Sequence, residues 1–332
     1  MSGPTKDTGE TGRVPVIDIQ NLSVEFRTRS GVVKALENVS LNAFKGEIVG
    51  IVGESGSGKS VSAMTAMGIL DPAGQVTQGS ITLTGLDVLN ASEATLQEAR
   101  GHQASMIFQS PRTALNPIRT VGKQIGDALR RHGSATRATA RAKAIAALES
   151  VRIPDPQRRF DAYPFELSGG MCQRIMIAMA LACAPELLIA DEPTTGLDVT
   201  TQAAIMDLIT DLARDRNMAT LLITHDLAMA ADYCDRIVVM HAGHVVESAP
   251  TRTLFAHPRH PYTAKLMQAT PRGSGSLDDS SSIDGSLPDL RGALPACRFS
   301  QRCERYESAC DEAPLALSAL DDGASVACRR PL

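Results

Sequence analysis

The alternation of apolar and polar positions divides the chain into strand-like and helix-like stretches. From Val16 to Val52 the pattern is strand-like: VIDIQNLSVEF, a turn at Arg29-Ser30-Gly31, VVKALENVSLNAF, a second turn at Lys45-Gly46, then EIVGIV. Beyond Ser60, VSAMTAMGIL predicts a helix, and ITLTGLDVL (81–89), opened by Gly79, predicts another strand. Residues 92–165 are mostly helical in composition, with Ala-rich stretches such as Arg137 to Ser150. Farther on, the strand-like runs LLIA (187–190), ATLLIT (219–224) and RIVVMHAG (236–243) alternate with the helical AIMDLITDLARD (204–215). Strands alternating with helices imply a mostly parallel α/β sheet.

The ends of the chain read differently. Residues 1–13 are polar, without the apolar core of a secretory signal, and are expected to form a disordered leader. The segment 271–290 is rich in Ser, Gly and Asp and reads as a flexible linker to a compact, cysteine-bearing tail at 291–332. The longest apolar candidate, Ile175 to Ala184, stops at Pro185-Glu186, well short of the roughly 18 residues a membrane span needs. Any membrane role is therefore expected to be peripheral, through partner subunits.

Composition narrows the partners further. Lys and Arg number 33 against 37 Asp and Glu, a formal net charge of −4, which argues against neutralising many nucleic-acid phosphates. Only 3% of residues are aromatic and none is Trp, so a base-stacking platform is not expected. Seven cysteines without a signal peptide suggest a reducing compartment, with thiols free or bound to metal.

The first candidate chemistry is Gly53-Glu54-Ser55-Gly56-Ser57-Gly58-Lys59-Ser60, which matches G-x-x-x-x-G-K-[ST]. Its glycines let the backbone curl so that N–H groups point at phosphate oxygens, and the following helix adds the positive end of its dipole. Lys59 would reach the β- and γ-phosphates of a nucleotide, and the Ser60 hydroxyl would ligate Mg²⁺. Downstream, the strand Leu187 to Ala190 ends in Asp191, placed to hold Mg²⁺ through water, and Glu192, placed to orient or deprotonate the attacking water. A third element, Leu167-Ser168-Gly169-Gly170-Met171, lies 23 residues before Asp191, counted from Ser168, and opens a helical run. Two glycines at a helix N-terminus make a second anion site. Two such helix ends with one phosphate loop suggest that each chain covers the nucleotide of a second chain.

LSGG, the phosphate loop, ADEPTTGLD (190–198) and Thr224-His225-Asp226 stand in the order and spacing of the ABC ATPases, and over residues 16–255 the chain resembles that family. The resemblance implies a P-loop NTPase of α/β class: a RecA-like parallel core, an N-terminal antiparallel β subdomain and a helical signature subdomain at about 92–170, together spanning 14–255. A cysteine-rich C-terminal extension, 256–332, would follow. It also implies roles. Phe26 stacks on adenine; Gln109 touches Mg²⁺ and senses the transmembrane partner; Ser168, Gly169 and Gly170 meet the γ-phosphate of the partner's ATP. Asp198 is a dimer contact, and His225 is a switch that binds the γ-phosphate. Met171 stands where the commonest signature has Gln, with Gln173 two residues on. Catalysis would rest on Glu192, His225 and Lys59.

Two features resemble the dipeptide, oligopeptide and nickel importer ATPases in particular. One is His257-Pro258-Arg259-His260-Pro261-Tyr262-Thr263, a rigid turn before the helical TAKLMQA. The other is Cys297, Cys303, Cys310 and Cys328, spaced C-x₅-C-x₆-C-x₁₇-C. Four thiols in a tail too small for much core would stabilise it by holding a metal centre, and the spacings are wider than those of zinc ribbons. The resemblance implies a [4Fe–4S] cluster, with zinc or no metal as the alternatives. Cys172, Cys183 and Cys234 lie in apolar runs and read as structural. The expected partners are two transmembrane permease subunits, a second, related ATPase subunit and an extracytoplasmic peptide-binding protein, and no nucleic acid; the chain itself is expected at the cytoplasmic face of the cell membrane. Nickel or another small solute is the alternative cargo. A soluble ABC ATPase acting on DNA or ribosomes is disfavoured, because tandem ATPase units and a long coiled-coil insertion are absent.

Overall fold

The computed structural model describes residues 13–270, 283–312 and 315–332. Strand β1 (Ile17–Thr28) turns directly into β2 (Gly31–Ala43), antiparallel to it, with Ile17 opposite Ala43 and Thr28 opposite Gly31. The strand β3 (Ile48–Val52) and helix α1 (Lys59–Ala66) follow. The chain then returns as β4 (Gly74–Leu83), pairing with the other side of β1, and β5 (Leu86–Asp87) completes an antiparallel sheet in the order β2-β1-β4-β5. The segment 81–89 is thus two strands. Thr84 at φ 46° and Gly85 at φ 87° reverse the chain so that Leu86 faces Leu83, a hairpin that the apolar pattern alone concealed.

The region of helical composition contains α2 (Glu93–Ala99), α3 (Pro111–Ala114), α4 (Val121–Arg131), α5 (Ala140–Ser150) and α6 (Pro156–Arg159), and leads into α7 (Gly169–Leu181). It also contains a strand, β6 (Ala104–Ile107), whose four residues are all buried. Four residues are too few to show a period, and only the neighbouring strand reveals what they are. That neighbour is β7 (Leu187–Asp191), followed by α8 (Val199–Asp215), β8 (Ala219–Thr224), α9 (Leu227–Tyr233), β9 (Arg236–His241) and β10 (His244–Pro250). Strands β9, β3, β8, β7 and β6 lie parallel in that order, and β10 pairs antiparallel with β9.

Successive residues of the parallel strands enter opposite cores. Ile48 and Val52 of β3, with Leu188 and Ala190 of β7, join the cluster built on α4, α5 and α7. Val49, Ile51, Leu187 and Ile189 join the cluster beneath the antiparallel sheet. Burial on both faces is why these strands read as unbroken apolar runs rather than as alternation.

The C-terminal region begins with α10 (Thr251–Ala256) and α11 (Pro261–Ala269) and ends with β11 (Ser318–Ala319) and β12 (Ser325–Val326). Of the expected linker 271–290, residues 271–282 lie outside the described residues, as do residues 1–12 of the expected leader. The tail is built into the main sheet: β12 pairs with β10, with Glu247 opposite Val326, and β11 pairs with β12. Leu290 accepts a hydrogen bond from the Lys34 N–H of β2, and Phe299 is 1% exposed within the larger core cluster. Among the described residues no helix is long and apolar enough to cross a membrane.

Candidate functional site

Three parallel strands deliver their C-terminal ends to one place. Val52 of β3 is level with Thr224 of β8, and Ile223 of β8 with Asp191 of β7. The carboxyl edge of such a sheet is where open α/β folds bind ligands.

The loop Gly53–Ser60 leaves β3 there. Gly53 has φ 154°, and a Cβ on it would sit 2.1 Å from the Met240 carbonyl oxygen. Gly58, at φ 101°, would press a Cβ to 2.6 Å from Leu36. Both positions require glycine. Lys59 opens α1 and folds back inside the loop, donating to the carbonyls of Gly53 (2.7 Å) and Glu54 (3.0 Å). Burial lowers its pKa, while Glu192, Asp191 and Glu54 oppose that shift. The Ser57 hydroxyl is buried in the loop without a hydrogen-bond partner in the protein, a group left for a ligand to satisfy. Ser55 and Gly56 form the exposed tip.

Ser60 Oγ donates to Asp191 Oδ1 at 3.1 Å, so the two oxygen ligands expected for Mg²⁺ are adjacent. Burial raises the Asp191 pKa; Ser60 pulls it down and the neighbouring Glu192 adds to the rise. A buried carboxylate facing a hydroxyl suits an oxygen-ligated cation.

Glu192 is held in an unusual conformation. Its φ is 45°, a left-handed geometry that costs a non-glycine residue about 1–2 kcal/mol, and its N–H is secured by the Ile223 carbonyl at 2.9 Å. The carboxylate is gripped from three sides. Gln109 Nε2, just beyond β6, and Thr195 Oγ1 donate to Oε2 at 2.8 and 3.0 Å, and His225 Nδ1 stands 3.3 Å from Oε1. The His225 side chain is 64% exposed, open to an incoming group.

Other expected residues lie elsewhere. Ser168 caps α7, accepting from the Met171 N–H at 3.3 Å, and Gly170 stands beside Thr201 of α8. Asp198 caps α8 in turn, accepting from the Thr201 N–H at 3.0 Å. Gln173 is buried and donates to the Pro193 carbonyl, which ties the signature helix to the turn that carries Glu192. Phe26 is half-buried on β1 with its ring against Gly74.

Several groups at the loop were missed by sequence reasoning. Tyr262 Oη accepts from the Glu54 N–H at 3.0 Å, and Arg302 from the tail forks onto the Glu54 carboxylate at 2.8 and 2.9 Å. Buried His241 places Nδ1 3.6 Å from that carboxylate, and burial lowers the pKa of its imidazole. Burial of Glu54 works against its ionisation, but His241 and Arg302 outweigh it and hold the carboxyl at about 2. The Pro-Tyr-Thr turn was a visible signal for Tyr262, although its target was not. Nothing local marked Arg302.

Cys297, Cys303, Cys310 and Cys328 line a single cavity, with His260 at its edge, and all are free thiols. Burial pushes Cys297 up to about 11, and the other three thiols add to the rise. Their type and convergence fit a thiolate-held centre. As placed, no three His, Cys, Asp or Glu side chains among the described residues close to the distances that one metal ion needs. Cys172 and Cys234 are buried and Cys183 is half-buried in the packed interior.

Residues 36–195 match the ABC transporter family model, and residues 246–310 match that of the oligopeptide/dipeptide transporter C-terminal region. The chain is 47% identical over 319 residues to the probable D,D-dipeptide transport ATP-binding protein DdpD of Escherichia coli, covering 96% of this chain and 97% of that one. It is 45% identical over 300 residues to the oligopeptide transport ATP-binding protein OppD of Haemophilus influenzae, covering 90% and 93%. Among solved structures, a dimeric bacterial ABC transporter cassette superposes with a TM-score of 0.64 at 28% identity, over 71% of this chain and 99% of that one. The cbiO1 subunit from Clostridium perfringens, part of an ABC transporter complex, gives 0.60 at 26%, over 73% and 91%. Phosphate loop, paired carboxylates and signature turn, followed by that C-terminal region, place the chain in the ABC transporter family as an ATP-hydrolysing subunit.

Proposed function

We propose that the chain energises import of dipeptides or oligopeptides across the cytoplasmic membrane. The observation that carries the catalytic part is the three-sided hold on the Glu192 carboxylate beside Lys59 and Asp191. In this reading the loop N–H groups and Lys59 cradle the phosphates of ATP. Ser60 and Asp191 would hold Mg²⁺, which would supply positive charge against the phosphates. Glu192 accepts a proton from the attacking water, and its fixed carboxylate sets the line of attack. His225, exposed beside it, meets the γ-phosphate. Gln109 links the same carboxylate to a surface that carries Phe108, 40% exposed, and Ile118, 82% exposed, which would face the two permease subunits.

The signature turn and Asp198 lie on an outer face with Val199, 81% exposed, and the stacked rings of Tyr163 and Phe165. That face would close head to tail on a second ATPase subunit, each covering the other's ATP. An extracytoplasmic peptide-binding protein would supply cargo, with this chain at the cytoplasmic face. Cys297, Cys303, Cys310 and Cys328 would hold a [4Fe–4S] cluster that folds the tail around itself. Their convergence on one cavity supports this.

Substituting Glu192→Gln tests the reading. Turnover should fall by about 10²–10⁴-fold while ATP is retained in a stable dimer, seen by gel filtration with bound nucleotide. Hydrolysis at the parental rate would overturn it.

A further inference from the structure

We propose that the C-terminal extension sets the shape of the phosphate loop, with Arg302 and Tyr262 as positioning residues for nucleotide binding that act through Glu54. The idea rests on the reading of Gly53–Ser60 as the ATP site, and binding of ATP by the unaltered chain tests that reading separately.

Residue 54 is the second of the loop, and each of its polar groups is held. Its carbonyl accepts from Lys59 Nζ inside the loop at 3.0 Å. Its N–H is taken by the Tyr262 hydroxyl from α11 at 3.0 Å, so it is turned away from any phosphate. Its carboxylate receives the Arg302 fork at 2.8 and 2.9 Å. The rest of the guanidinium is also occupied: Nε donates to the Asp284 carbonyl at 2.9 Å and Nη2 to that of Ile283 at 3.2 Å. The Arg302 side chain is 5% exposed and that of Glu54 28%, so the pair is shielded from water and salt. Tyr262 is fully buried, its ring 4.4 Å from His241 and 5.3 Å from Phe299, which fixes the hydroxyl in place.

A clamp of this quality serves stability wherever it stands. Here it lands on the residue whose carbonyl anchors the phosphate-binding lysine. Lys59 holds residue 54 from inside while α11 and the tail hold it from outside. Loosening the outer hold lets the loop sample shapes that cannot receive phosphate, and apparent affinity falls in proportion to the competent fraction. Of the groups the chemistry after binding uses, Glu192, Asp191, Gln109 and His225 do not touch the clamp; Lys59 does, through the Glu54 carbonyl, and keeps a second anchor on the Gly53 carbonyl at 2.7 Å. The signature is therefore weaker ATP binding with little change in turnover at saturation.

The experiment uses the full chain with Arg302→Lys, which keeps the charge and most of the volume but loses the fork, with Glu54→Gln, and with both together. Equilibrium binding of a fluorescent ATP analogue, KM and kcat for ATP, and the melting temperature without nucleotide are measured. Each single variant should weaken binding and raise KM about tenfold, with kcat within about twofold, and the double variant should be no weaker than either single one. Parental affinity in either single variant, a fall in kcat as large as the rise in KM, or effects that multiply in the double variant would each overturn the proposal.

Discussion

At Gly53 a backbone requirement and a chemical one coincide. The φ of 154° and the approach of the Met240 carbonyl leave no room for a side chain, since a Cβ would sit 2.1 Å from that oxygen. Either the loop or β9 must move, and β9 is locked between β3 and β10. Gly53→Ala should therefore displace the loop. The expected result is loss of measurable ATP binding, with stability lowered by about 1–3 kcal/mol in urea titration. Retained nucleotide affinity would show that the loop adapts. Glu192 presents the opposite case: a side-chain-bearing residue is kept in glycine-like geometry because the Ile223 carbonyl and two donors, Gln109 and Thr195, hold it there, with His225 beside it. The sequence made Glu192 a candidate through its place after an apolar strand. Its strain and its partnership with Thr195 come only from strand ends meeting.

At the scale of elements, the helical region packs through close approach. Gly122 of α4 faces the Phe160 ring so closely that a Cβ would lie 2.1 Å from Cδ2. Alanine would contribute up to about 1 kcal/mol of helix propensity, but a clash with a buried ring costs about 1–3 kcal/mol. Overpacking wins, and Gly122→Ala should lower the urea midpoint. Adding Phe160→Leu to that variant should recover part of the loss; a further fall would show that the ring is not the obstacle. The apolar runs of α7, α8 and β8 were long enough to read directly. Strand β6 and the hairpin of β4 and β5 were not, because four buried residues carry no period and a turn at Thr84-Gly85 leaves an apolar run looking continuous.

At the scale of the molecule, charge seams join the tail to both sheets. Glu37 of β2 accepts from Arg298 of the tail and lies 3.2 Å from His244 Nε2 of β10. The His244 hydrogen bond is the main cause that brings the Glu37 carboxyl down to about 2; burial opposes it and the Arg298 charge assists. A depressed carboxylate pKa contributes stability that is present above the unfolded value, near 4.5, and lost as pH falls towards about 2. The protein should lose stability across that acid window. Glu37→Gln should be less stable at pH 7 and should show a smaller further loss between pH 4.5 and 2.5, followed by urea midpoints. An acid slope equal to the parent's would rule out this seam as a contributor.

The order and chemistry of local motifs are properties of the chain itself. A glycine-rich loop after an apolar strand, two acids ending another and a Ser-Gly-Gly turn opening a helix each follow from backbone freedom and side-chain charge over a few residues. From them the α/β class, the family and the principal candidate residues could be read. Which groups meet across the sheet was decided by the tertiary structure. Gln109 reaches Glu192 because β6 lies beside β7, and Arg302 reaches Glu54, 248 residues away, because the tail docks with Phe299 buried against His241 and Tyr262. Contacts at that separation leave no local pattern, since strand order and docking of the tail are set by burial of whole faces rather than by neighbours in the chain.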